Sequence, residues 1–95
     1  MKTLNLKDIL KNTGSAESGD VLLNHLKKAY QNNQTILLQV DSDLVITPSF
    51  LNCSAGEFID IYGFSNFRNT LKIRGSQSQF NRFNKYIQDY KELYQ

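Results

Sequence analysis

Short apolar runs containing β-branched residues alternate three times along this chain with segments whose apolar side chains return at helical spacing. The runs are Thr3 to Leu6 ("TLNL"), Thr35 to Val40 ("TILLQV") and Thr70 to Arg74 ("TLKIR"). After the first comes a helix with Leu22, Leu23, Leu26, Ala29 and Tyr30 on one face. The second leads into Leu51, Ala55, Phe58 and Tyr62, and the third into Phe80, Phe83, Ile87, Tyr90 and Tyr94. Each set is the stripe of an amphipathic helix. A β-α-β-α-β-α order predicts an α/β layer fold: a small, mostly parallel sheet of three to four strands with three main helices. "TILLQV" is apolar on both sides, as a central strand covered on two faces would be.

Local signals set the expected boundaries. Ser18 reads as the N-cap of the first long helix, with Asp20 in its first turn, and "QNNQ" ends it. "KDIL" reads as a short turn, and "KNTGSAESGD" and "FSNFRN" as polar loops. The second helix should run from about Pro48 to Tyr62, with Gly63 just past its end. Gly56 inside it costs up to about 1 kcal/mol relative to alanine, which close packing against a neighbour would explain. The last helix is expected from Ser78 to Leu93.

At 95 residues the chain reads as a single domain over 1–95. Eleven Lys and Arg against nine Asp and Glu leave a net charge of +2, too small an excess to point to a nucleic-acid or membrane partner. No apolar run is long enough for a signal peptide or a membrane span. A lone cysteine, Cys53, fits a reducing cytoplasm. One Cys and one His do not make a zinc site, so neither a metal nor a cofactor is expected.

The only proline lies in "VITPSF", residues 45–50. Threonine caps helix starts, and proline suits the first helical position because the amide hydrogen it lacks would have no helical partner there. Thr47 is therefore the expected N-cap, with Pro48 at N1 and Ser49 at N2, and Phe50 and Leu51 opening the buried face. Ser49 would meet the positive end of the helix dipole, where an anion, or a phosphate on the serine itself, is stabilised. Asp41, beyond the carboxyl end of the second strand, lies where α/β folds place ligands. Ser49 is the candidate phosphorylation or anion site, supported by Thr47, Pro48 and Asp41. Val45, Ile46 and Phe50 form the candidate partner surface. A helix-start residue and a loop anchor are the plainer readings of Ser49 and Asp41.

The sequence resembles the STAS-like domain family of unknown function, bacterial relatives of the anti-sigma-factor-antagonist (STAS) domains. "SGDVLLNHL", "ILLQVD", "ITPSFLN", "GEFIDIYG" and "LKI" followed by an amphipathic helix carry the resemblance. It implies a non-catalytic cytoplasmic regulatory module that binds a protein partner. In the antagonists a serine at the start of the helix after that strand is phosphorylated by a serine kinase of the histidine-kinase-like ATPase superfamily, and Ser49 falls on it by position. Pro48 replaces the acidic residue of that motif, and Phe50-Leu51 replace its second hydroxyl residue and its glycine.

Other constellations carry less. His25 has no nucleophile spaced to meet it within a helical turn. Asp41 and Asp43 lack room for a sugar cleft in so short a chain. "NTGSAESG" lacks the Gly-Lys-Ser/Thr ending of a phosphate loop. An enzyme is the least supported class. Five Tyr and six Phe suit a core with solvated tyrosine hydroxyls, or a contact surface. Beside Arg68, Arg74 and Arg82 they would also suit single-stranded nucleic acid. The alternatives are thus a nucleic-acid-binding accessory protein and a self-associating structural module, a homo-oligomer.

Overall fold

The computed structural model of the chain describes residues 2–9, 16–41, 44 and 46–94. Three strands, β1 (Lys2–Asn5), β2 (Ile36–Gln39) and β3 (Leu71–Arg74), form a parallel sheet in the order β1-β2-β3. The register sets Lys2, Ile36 and Leu71 side by side, and Leu4, Leu38 and Ile73 two residues further on. Side chains alternate along a strand, so these six share one face. Ile36, Leu38 and Leu71 are buried there, and Leu4 and Ile73 pack against the same core.

The opposite face carries Thr3, Asn5, Leu37, Gln39, Lys72 and Arg74, none of them buried. The expectation that Thr35 to Val40 is covered on both faces is therefore corrected. Apolar packing lies on the Ile36–Leu38 side, and Leu37 is only half-buried. Among the described residues no buried apolar layer lies on that face, a departure from the usual two-sided cover of a parallel sheet.

Five helices are seen among the described residues: α1 (Leu6–Ile9), α2 (Ala16–Gln31), α3 over 48–62, α4 (Phe64–Thr70) and α5 (Gln77–Tyr94). "KDIL" thus belongs largely to a helical turn, and Leu6, expected to close the first strand, opens α1 fully buried. Helix α2 starts before Ser18, so Ser18 is a helical residue rather than the cap, and Glu17 rather than Asp20 meets the dipole. Its stripe is as expected: Leu22, Leu23, Leu26 and Ala29 are buried.

Helix α3 is α-helical over Pro48–Leu51, a π turn over Asn52–Gly56, and α-helical again over Glu57–Tyr62. In the π turn the Glu57 amide reaches the Asn52 carbonyl five residues back. The buried Ser54 hydroxyl donates to the Phe50 carbonyl at 2.8 Å, so no buried polar atom of that side chain is left unpaired. Gly63 then takes φ +90°, a conformation suited to glycine, and separates α3 from α4.

"FSNFRN", read as a loop from its polar residues, is helical. Phe67 is 4% exposed, and its ring lies 6.0 Å from Phe58 and 6.2 Å from Phe83. Burying such a ring is worth about 1.5–3 kcal/mol, enough to override weak local propensity. Phe58, fully buried, also meets Tyr30 edge-on at 5.9 Å. Most of the aromatic surplus therefore goes into the core.

Helix α5 starts at Gln77 rather than Ser78, because Ser76 caps it. Phe83 is buried, and Tyr86, Ile87 and Tyr90 pack against the core. Phe80, expected on the same stripe, is 42% exposed. Tyr94's side chain lies outside what is described. Tyr86 and Tyr90 rest on Gly56, where a β-carbon would lie 3.0 Å from the Tyr86 hydroxyl. The glycine inside α3 thus makes room for α5.

Candidate functional site

The start of α3 is built by three adjacent residues. Thr47 is extended (φ −95°, ψ 159°), and its hydroxyl accepts from the Phe50 amide at 3.2 Å. Pro48 occupies N1 and has no amide hydrogen to leave unpaired. The Leu51 amide bonds the Thr47 carbonyl at 3.1 Å. Of the amides of residues 48–51, only that of Ser49 keeps a hydrogen pointing out of the helix start without one of these bonds. Ser49 itself is exposed.

Phe50 is 1% exposed and Ile46 is 7% exposed. Both belong to the core, so their assignment to a partner surface is corrected: the chain spends its apolar side chains here on internal packing. Val45, the third member of that surface, lies outside the described residues, as does Asp43. What remains open at the helix start is Pro48, Ser49 and Asn52.

Asp41 is not a partner of Ser49 among the described contacts. Its carboxylate lies 3.8 Å from the Lys7 ammonium, a pair open to solvent on both sides and worth little. Its backbone is held more firmly. The Gln79 side-chain amide donates to the Asp41 carbonyl at 2.5 Å and to the Leu44 carbonyl at 3.1 Å. The other end of the same amide accepts from the Ser76 amide at 3.2 Å. Ser76 in turn accepts from the Gln79 amide at 3.2 Å, which completes a capping box. The Ser-x-x-Gln pattern signals the capping box; its second role, tying down the strand-to-helix connection 38 residues earlier, leaves no mark in the sequence.

Two further groups with possible chemistry sit elsewhere. Cys53 is a half-buried free thiol in the π turn. His25 on α2 has its pKa pushed below the ordinary value, first by burial and then by Lys2 and Lys28. No group of three or more His, Cys, Asp or Glu among the described residues could hold a metal ion. None of the helices described is long and apolar enough to cross a membrane.

A family model described as a STAS-like domain of unknown function matches residues 18–79. The chain belongs to that family. The matched region takes in most of α2, then β2, the capped start of α3, β3 and the first residues of α5, and so includes Thr47, Ser49 and Gln79. Comparisons with curated proteins and with solved structures gave no match for this STAS-like domain.

Proposed function

We propose that this STAS-like domain is a non-catalytic regulatory module of the bacterial cytoplasm, binding a protein partner and switched by a phosphate on Ser49. The observation that supports the reading is the exposed Ser49 at N2 of a helix whose other first-turn amides are already bonded or absent. A free anion finds a single spare amide there, so a covalently attached phosphate suits the geometry better than reversible anion binding. The phosphate would add about −1.5 to −2 charges at neutral pH. The helix dipole would favour it by about 0.3–1 kcal/mol, and exposure spares it the cost of desolvation. The modifying enzyme in this reading is a serine kinase of the histidine-kinase-like ATPase superfamily, as for the STAS antagonists. Pro48, Phe50 and Leu51 depart from the antagonists' motif, and Phe50 and Leu51 do so as core residues, so a dedicated kinase would have to read the remaining surface.

The test is isolation of the tagged domain from its host, with mass spectrometry of both the phosphosite and the captured partner. Phosphate should map to Ser49. Ser49→Asp should keep the wild-type melting temperature and weaken the captured partner's binding about tenfold, about 1.4 kcal/mol, while Ser49→Ala binds normally. Equal binding by Ser49→Asp and wild type would remove Ser49 as a switch.

A further inference from the structure

A cleft of about 380 Å³ runs between β3 and α5. Three successive residues of β3 border it, Leu71, Lys72 and Ile73. Successive side chains point to opposite faces of a sheet, so a cleft that touches all three passes along the strand's edge. β3 is the last strand in the sheet order, and that edge pairs with no other strand among the described residues. The Arg74 carbonyl accepts from the Val40 amide at 2.8 Å and therefore points inward to β2. By the alternation of backbone groups, the amide and carbonyl of Ile73 and the carbonyl of Leu71 point outward, into the cleft.

From the geometry we infer that this cleft takes an extended, acidic peptide segment of a partner protein, which adds to β3 as a fourth strand. Backbone pairing with Ile73 supplies the register of such an addition. Apolar side chains of the incoming strand meet Phe80, 42% exposed, and the half-buried Ile87 on α5. The charge is one-signed: Arg68 and Lys72 line the cleft and no carboxylate does, so acidic residues in the alternate positions are attracted. A second copy of this chain fits poorly, because pairing β3 with β3 would bring Lys72 and Arg74 of both copies together. Single-stranded nucleic acid fits poorly as well. Phe67 and Phe83 are buried and stacked on one another at 6.2 Å, which leaves Phe80 as the cleft's exposed ring, too few for successive bases to stack. The inference does not involve Ser49, so failure of the phosphate switch leaves it standing.

Three probes test it: a short peptide alternating Glu and Val, its Lys-Val counterpart, and the Glu-Val peptide N-methylated on alternate backbone nitrogens. Binding is read by fluorescence anisotropy, and the site by amide chemical shifts and hydrogen exchange of the labelled domain. The Glu-Val peptide should bind and slow exchange at the Ile73 amide. Arg68→Glu with Lys72→Glu, both exposed positions, should weaken it by about tenfold or more, and N-methylation should abolish binding. Equal binding of the Lys-Val or N-methylated peptide would overturn the inference. So would undetectable binding of the Glu-Val peptide at millimolar concentration, an oligouridylate shifting the Ile73 amide where that peptide does not, or a concentration-dependent dimer that buries the same amide.

Discussion

Gly19 of α2 lies against the main chain of α3 at Phe50, so close that a β-carbon at residue 19 would stand 2.7 Å from the Phe50 carbonyl oxygen. The same β-carbon would be 2.8 Å from the β-carbon of Cys53. Neither atom belongs to the free end of a side chain, so neither can swing aside. The two longest elements of the matched region thus meet backbone to backbone, and the carbonyl involved is the one that Ser54 also holds.

Gly19→Ala should therefore destabilise the domain by about 1–3 kcal/mol, the usual cost of overpacking, despite alanine's better helix propensity. Chemical denaturation gives the value. A stabilised Gly19→Ala variant would mean that α2 and α3 do not approach this closely in solution.

Thr47→Ala removes the side chain that accepts from the Phe50 amide and should cost about 0.5–2 kcal/mol. Pro48→Ala should cost much less, since N1 needs no amide hydrogen bond. Urea midpoints of the two variants decide between a capped helix and a proline-defined turn: a larger loss for Pro48→Ala would favour the turn.

His25 supplies the pH dependence. Burial and the nearby Lys2 and Lys28 hold its folded-state pKa below 6.5. The unfolded chain therefore takes up the proton first as pH falls. His25's contribution is fully present above the unfolded-state value and is lost as pH drops through the folded one. Melting temperatures taken from about pH 7.5 down to about 5 should fall in wild type, and fall less in His25→Gln, which stays neutral throughout. Parallel curves would show that His25 titrates alike in both states.

The sequence was most legible where one local rule sufficed. Helical spacing marked the buried faces of α2 and α3, and Thr47-Pro48 marked the start of α3, because capping depends on residues within one turn. Legibility failed where distant contacts decided. "FSNFRN" looks like a loop until Phe67 is placed among Phe58 and Phe83. Phe80 shares the spacing of Phe83 but borders the open cleft beside β3 and stays 42% exposed. At the site, the exposed serine and its cap were readable. Phe50 was readable both as the opening of the buried face and as part of a partner surface, and the structure takes the first reading. That Ile46 points inward was not readable, since short apolar runs look alike whether they face a core or a partner.

Gln79 has a consequence in time. Its amide fastens the connection between β2 and α3 across 38 residues, and such a closure waits on the loss of chain entropy over that whole distance. Synthesis releases the N-terminal side first, so strand β2 and Ser49 leave the ribosome well before residue 79 does. For that interval the bonds from Gln79 to the carbonyls of Asp41 and Leu44 are unmade, and the serine's approach is unfastened. An enzyme acting on the nascent chain would meet Ser49 on a looser segment than one acting on the finished domain.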